Sequence, residues 1–234
     1  MAKKQFFLII DTESTINNHC ADFGAMVIDK QGNIHKEIGI LVGDFYQKEQ
    51  LFFDKNAKEQ IWQLAGLKRR EENYINMVNS GQRMIASVNA INRWLDKANM
   101  QYSPELTAYN LPFDLNICQN SGIDLSMFEK RFCLWQMAIG HFANTKKYKQ
   151  FILQNHAFNS PTDKGNMTFK TNAEIMASFV NGSMLPAEPH TALEDIKFYE
   201  LPILQAIMKK RNWREKQMPY NWQSFQVKDH FVAI

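Results

Sequence analysis

The feature that most constrains the fold is a continuous apolar run, Phe6-Phe7-Leu8-Ile9-Ile10, that stops on Asp11-Thr12-Glu13. Five apolar residues without polar alternation describe a strand buried on both faces. Such a strand needs a covering layer on each side of its sheet. The chain has 234 residues, 45% of them hydrophobic and 22% charged, which is enough for one substantial domain with its own core. The run is shorter than the roughly 7–15 apolar residues of a signal peptide. No apolar stretch approaches the roughly 20 residues of a membrane span. We therefore expect a soluble, cytoplasmic protein with no membrane partner. Cys20, Cys118 and Cys133 form no CxxC pair; a scattered, odd count fits a reducing setting better than a disulfide framework or a zinc site.

Beyond the first strand, Phe23–Asp29 and Ile34–Val42 flank the turn Asp29-Lys30-Gln31-Gly32-Asn33 and read as a hairpin paired with it. Val88, Ile91, Trp94 and Leu95 recur at helical spacing and predict a helix from about Arg83 to Ala98. A short strand, Leu106–Tyr109, leads into a helix with Pro112 near its start. Residues 146–155 and 172–180 read as helices, the second capped by Thr171 or Asn172. A last long helix runs to about Lys210, with Pro202 expected to kink it. Hairpin strands followed by alternating helices and strands predict an α/β fold with a mixed sheet covered by helices.

Three segments carry candidate chemistry. In an extended chain Asp11 and Glu13 project to the same face. Two adjacent carboxylates repel, and a hard divalent cation relieves that repulsion. The same pair is also what two solvated acids in a turn look like. In Asn110-Leu111-Pro112-Phe113-Asp114 a strand end gives way to a helix, and Asp114 falls in the first turn, where an acid also complements the helix dipole. In His190-Thr191-Ala192-Leu193-Glu194-Asp195 the histidine lies five positions before the aspartate. On one continuous helix those two side chains diverge. They converge only if His190 sits on the loop after Pro189 and Asp195 in the early turns that follow. Glu194, one position away, points elsewhere.

Taken together and in this order, the three segments resemble the DEDDh family of 3′–5′ exonucleases, of the ribonuclease H-like superfamily that includes DnaQ-like and RNase T-like enzymes. The resemblance covers the chain in outline from Lys4 to Lys210 and is sharp at the motifs. It implies a ribonuclease H-like α/β fold with a central mixed five-stranded sheet flanked by helices. The implied exonuclease domain is 1–212, with an aromatic and basic tail, 213–234, packed on it. It implies Asp11, Glu13, Asp114 and Asp195 as ligands of two Mg²⁺ ions, with Mn²⁺ as substitute, and His190 as general base. Thr12, Ser14 and Asn110 are the implied substrate contacts. The implied activity is two-metal hydrolysis of single-stranded DNA from the 3′ end; RNA as substrate, or a non-catalytic binding or proofreading accessory role, uses the same residues. A polymerase or a second copy of the chain stays open as a partner. Two positions depart from the family pattern: Tyr109 precedes Asn110 where many members carry His, and 132–138 replaces an Asp-Thr pair.

The net charge of +3 permits a polyanionic partner. Lys68-Arg69-Arg70, Lys146-Lys147-Lys149 and Lys209-Lys210-Arg211 are the basic clusters; such runs track phosphates in some proteins and are more often solvated faces. Trp213, Tyr220, Trp222, Phe225 and Phe231 interleave with Arg214, Lys216 and Lys228, a pattern that either stacks bases or packs on the domain. Phe52, Phe53 and Trp62 lie between the hairpin and the predicted helix; they either border a substrate groove or pack in the core.

Overall fold

The apolar run lies at the middle of the sheet. In the computed structural model, which describes residues 4–162 and 164–227, β1 (Phe6–Ser14) is flanked by β2 (Cys20–Asp29) on one side and β5 (Glu105–Ala108) on the other. Residues 7 to 10 are fully buried. Phe7 and Ile9 point into one core layer, Leu8 and Ile10 into the other, as the two-residue period of a strand requires.

The hairpin continues the sheet, β2 antiparallel to β1 and β3 (Ile34–Val42) antiparallel to β2. After α1 (Gln60–Asn79) the short β4 (Met84–Ala86) adds parallel to β3. Next come α2 (Val88–Tyr102), β5, α3 (Leu111–Asn120) and β6 (Arg131–Cys133), with β5 and β6 parallel to β1. The strand order is β4-β3-β2-β1-β5-β6, a mixed sheet of the α/β class expected. It has a sixth strand at the β3 edge beyond the five expected. The helices α4 (Leu134–Ala138), α5 (Lys146–Gln154) and α6 (Ala173–Asn181) cover one face together with α7 (Ala192–Asp195) and α8 (Leu201–Met208). The helices α2 and α3 cover the other. Among the described residues no helix is long and apolar enough to cross a membrane.

One sequence expectation is corrected. The helix predicted from Arg83 begins only at Val88, because Met84–Ala86 pairs with Ile40–Val42 as the edge strand. Pro202 lies within the last helical stretch, beside a change of helix type. The chain takes a π-helical turn over residues 196–200 and passes through Pro202 in the first turn of α8. Pro202 has no N–H to offer the preceding turn, and a wider turn is one way to absorb that loss.

Part of the tail packs on the domain, while Trp222 is exposed. Trp213 is buried edge-on against Phe7 and Phe132, and Tyr220 stacks between Trp135 and Phe225. Lys228 and Phe231 lie outside the described residues.

One backbone approach sets the distance between the last helices and the sheet. Gly24 pairs with Asp11 across β1 and β2. A Cβ on Gly24 would fall 2.6 Å from backbone atoms of Ala192 and Leu193. Only glycine lets α7 lie this close. Gly24→Ala should therefore cost roughly 1–3 kcal/mol by overpacking, lowering the melting temperature by several degrees in calorimetry. An unchanged melting temperature would show that α7 is free to retreat.

Candidate active site

Asp11 and Glu13 leave β1 on the face that α7 approaches, at the strand's C-terminal end. The pairing with β2 is irregular here: Glu13 faces Asp22 and Ser14 faces Cys20, leaving Ala21 as an extra residue in a bulge. A bulge bends its strand and re-aims the side chains beside it. Thr12 points to the opposite face, where its hydroxyl donates to Asp114 Oδ1 at 2.9 Å. Asp114 sits in the first turn of α3, directly after β5, and is buried.

The third segment has the predicted offset. His190 lies on the loop before α7 with φ of +55°, and its carbonyl accepts a hydrogen bond from the Tyr74 hydroxyl at 3.2 Å. Asp195 is one turn into the helix. Its Oδ2 accepts from the Thr191 backbone N–H at 3.0 Å. Glu194 turns away to Arg83, 2.6 Å off. Arg83 is fully buried and also grips Asp22 at 3.2 Å, while Asp22 accepts from the Ala192 N–H. This ion-pair cluster ties β2, the start of β4 and the start of α7 together.

These elements bring Asp11, Glu13, Asn110, Asp114, His190 and Asp195 around one cleft of about 490 Å³. Thr12 and Ser14, expected beside the substrate, do not line it; the alternation of β1 turns both side chains into the protein. Two further acids do. Glu200 reaches in from the π turn and accepts from the Tyr109 N–H at 3.1 Å. Glu188 reaches in from the loop before His190. Sequence reading missed both. Glu188 has one local sign, its place two residues before His190; Glu200 has none, because its direction depends on the π turn. A third missed residue, Arg70 of α1, donates to Glu13 Oε2 at 2.9 Å and to the Phe52 carbonyl at 2.8 Å.

Six carboxylates thus share a small space. Burial, reinforced by Glu200 and Asp114, holds Asp11 well above the ordinary carboxylate range. Burial pushes Asp114 up to about 7, although the Thr12 hydroxyl pulls the other way. Burial, with Glu13 and Glu188 nearby, pushes Asp195 up to about 9. Glu188 is pushed to about 7 and Glu200 is held well above the ordinary carboxylate range, burial leading in each case. His190 is raised because its Nδ1 lies 3.7 Å from Glu13 Oε1.

The donor set fits a divalent cation. Asp195 Oδ1 and Glu200 Oε2 are buried without a hydrogen-bond donor, a costly state that a cation would relieve. Glu13, His190 and Asp195 each bring a ligand atom within 4.8 Å of the other two.

Sheet and cleft together define the chain as an α/β protein with a six-stranded mixed sheet flanked by helices, whose acidic site suits a divalent metal. No family model matches it, and no curated protein sequence does. Among solved structures it is similar to Escherichia coli Exonuclease I in complex with a 5cy-dT13 oligonucleotide, with a TM-score of 0.46 and 15% identity. The match covers 87% of this chain and 40% of that one, so this chain spans well under half of that protein's length.

The raised acids fix a sign for stability. An acid whose pKa is higher folded than unfolded stabilises the fold while protonated, and that contribution is lost as pH rises through its folded pKa. For Asp114, Glu188 and Asp195 the loss begins near the unfolded carboxylate value of about 4 and is complete at about 7, 7 and 9 respectively. Asp29, Glu49 and Asp124 are shifted down, so their effect lies in the acid range. In EDTA the melting temperature should fall between pH 5 and pH 9. Mn²⁺ should recover it at pH 8 and change little at pH 5, and Asp195→Asn should flatten the fall. A flat profile in EDTA would contradict the crowding of these charges.

Proposed function

We propose that this protein is a divalent-metal-dependent 3′–5′ exonuclease that removes nucleotides from single-stranded DNA. The observation that carries the reading is the convergence of Asp11, Glu13, Asp114 and Asp195 beside an exposed histidine on a loop. Polarity and the preference for DNA rest on the motif resemblance. A pure binder of a polyanion gains nothing from clustered acids facing a phosphate.

In this reading Asp11, Glu13, Asp114 and Asp195 hold two Mg²⁺ ions, for which Mn²⁺ substitutes. Bound there, the metal supplies Lewis-acid stabilisation of the negative charge that develops on the attacking and leaving oxygens. The protein's own groups do the rest. Thr12 fixes the rotamer of Asp114, and the Thr191 N–H fixes that of Asp195. His190 is 62% exposed at its side chain and keeps Nδ1 toward Glu13. Its Nε2 is then the atom that takes a proton from the attacking water. Without metal Glu13 raises the histidine pKa, and the acid limb of the rate profile reports the protonation of this histidine. Asn110, half-exposed Phe113 and the stacked pair Trp135 and Tyr220 line the same cleft and offer the terminal nucleoside an apolar wall with a polar anchor.

The test is digestion of 5′-labelled single-stranded DNA, RNA and duplex with Mg²⁺, Mn²⁺ or EDTA. A metal-dependent ladder shortening from the 3′ end of single-stranded DNA is expected. Preferred cleavage of RNA would reassign the substrate, and no cleavage under any condition would return the chain to a binding or accessory role.

Two substitutions separate the parts. Asp11→Ala should abolish metal-dependent cleavage. His190→Ala should slow turnover by roughly 10²–10⁴, the usual worth of a general base, remove the acid limb from the pH profile, and leave the Mn²⁺-induced rise in melting temperature. Loss of that rise would make His190 a ligand instead.

A further inference from the structure

A second cleft, of about 680 Å³, opens on the far side of the His190 loop and shares Glu188 and His190 with the first. One wall is that loop, the other a single face of α1. The helix is two-sided. Leu67, Tyr74 and Met77 are buried toward β2 and β3. Trp62, Gly66, Arg69, Arg70 and Asn73 follow one another at helical spacing along the cleft.

The residues on this face are not those of a solvated helix. Trp62 is 74% exposed and Phe52, beside it, 50%. Large aromatics left open to water in a concave site mark a place that something covers. Gly66 stands between Trp62 and Arg69, and a Cβ there would meet nothing within 4 Å. A glycine inside a helix costs roughly 1 kcal/mol relative to alanine, and no packing requires this one. It leaves the floor of the cleft empty. Arg69 is exposed and has no acidic partner among the described residues. Arg70, at the inner end, reaches Glu13.

We infer that this cleft holds the single strand upstream of the scissile nucleotide, with bases stacked on Trp62 and Phe52 and phosphates against Arg69. Aromatic faces alternating with a cationic edge are what an unpaired strand needs and a duplex cannot use. The cleft adjoins the candidate active site across Glu188 and His190, which line both, so a strand crossing that loop enters the acids end-on. This inference rests on the nuclease reading for the direction of the strand, not for its binding.

The experiment measures anisotropy of fluorescein-labelled (dT)12 and (dT)3 with the full chain in EDTA, where no cleavage occurs. The wild type should bind (dT)12 more tightly than (dT)3. Trp62→Ala should weaken (dT)12 binding by roughly tenfold, as loss of one stacking partner does, and narrow the gap between the two lengths. Gly66→Gln should do the same by filling the floor, while its melting temperature stays at or above that of the wild type. Trp222→Ala, an exposed tryptophan that lines neither cleft, is the control and should bind as wild type. Unchanged (dT)12 affinity in Trp62→Ala would overturn the inference and leave the cleft to a protein partner. If the wild type cleaves nothing, the nuclease reading fails, yet a tenfold loss in Trp62→Ala still upholds the cleft.

Discussion

Repulsion among carboxylates is the constraint around which this molecule is arranged. Asp11, Glu13, Asp114, Glu188, Asp195 and Glu200 meet at one end of the sheet, and left alone they would drive their elements apart. The surrounding structure supplies the opposing terms. Arg70 neutralises one oxygen of Glu13, and backbone N–H groups satisfy single oxygens of Asp195 and Glu200. A separate buried pair, Arg83 with Asp22, anchors the start of α7 to the sheet. Breaking a buried pair of that sort leaves an uncompensated charge in the interior. The geometry of the site therefore rests on a clamp that never touches its cleft.

The parts of the fold legible in the sequence were those governed by local periodicity. The apolar run at Phe6–Ile10 could only be a central strand, and the Gly32 turn with its flanking runs could only be a hairpin. The offset between His190 and Asp195 was readable because 100° per residue forbids the two to converge on one helix. Asp114 was readable from Pro112 two positions earlier, which fixes where the helix begins.

What escaped reading depends on distant partners. The helix α1 buries just Leu67, Tyr74 and Met77, too thin an apolar stripe to announce a twenty-residue helix. Met84–Ala86 becomes a strand because Ile40–Val42 offers it an open edge, not because of its own pattern. Arg70 looked like one member of a basic run until the fold brought it to Glu13. The resemblance implied Thr12 and Ser14 as substrate contacts; strand alternation turns their side chains inward, and the Thr12 hydroxyl donates to Asp114.

The π turn between α7 and α8 bears on chemistry as well as on Pro202. Asp195 and Glu200 are five residues apart, and on a regular α-helix such a pair would diverge by about 140°. A turn closed by i to i+5 hydrogen bonds brings the fifth residue back over the first. Both acids consequently share one azimuth, and both leave an oxygen without a donor at the same cleft. The phase of the helix, rather than any change of residue type, decides whether this site counts five acids or six.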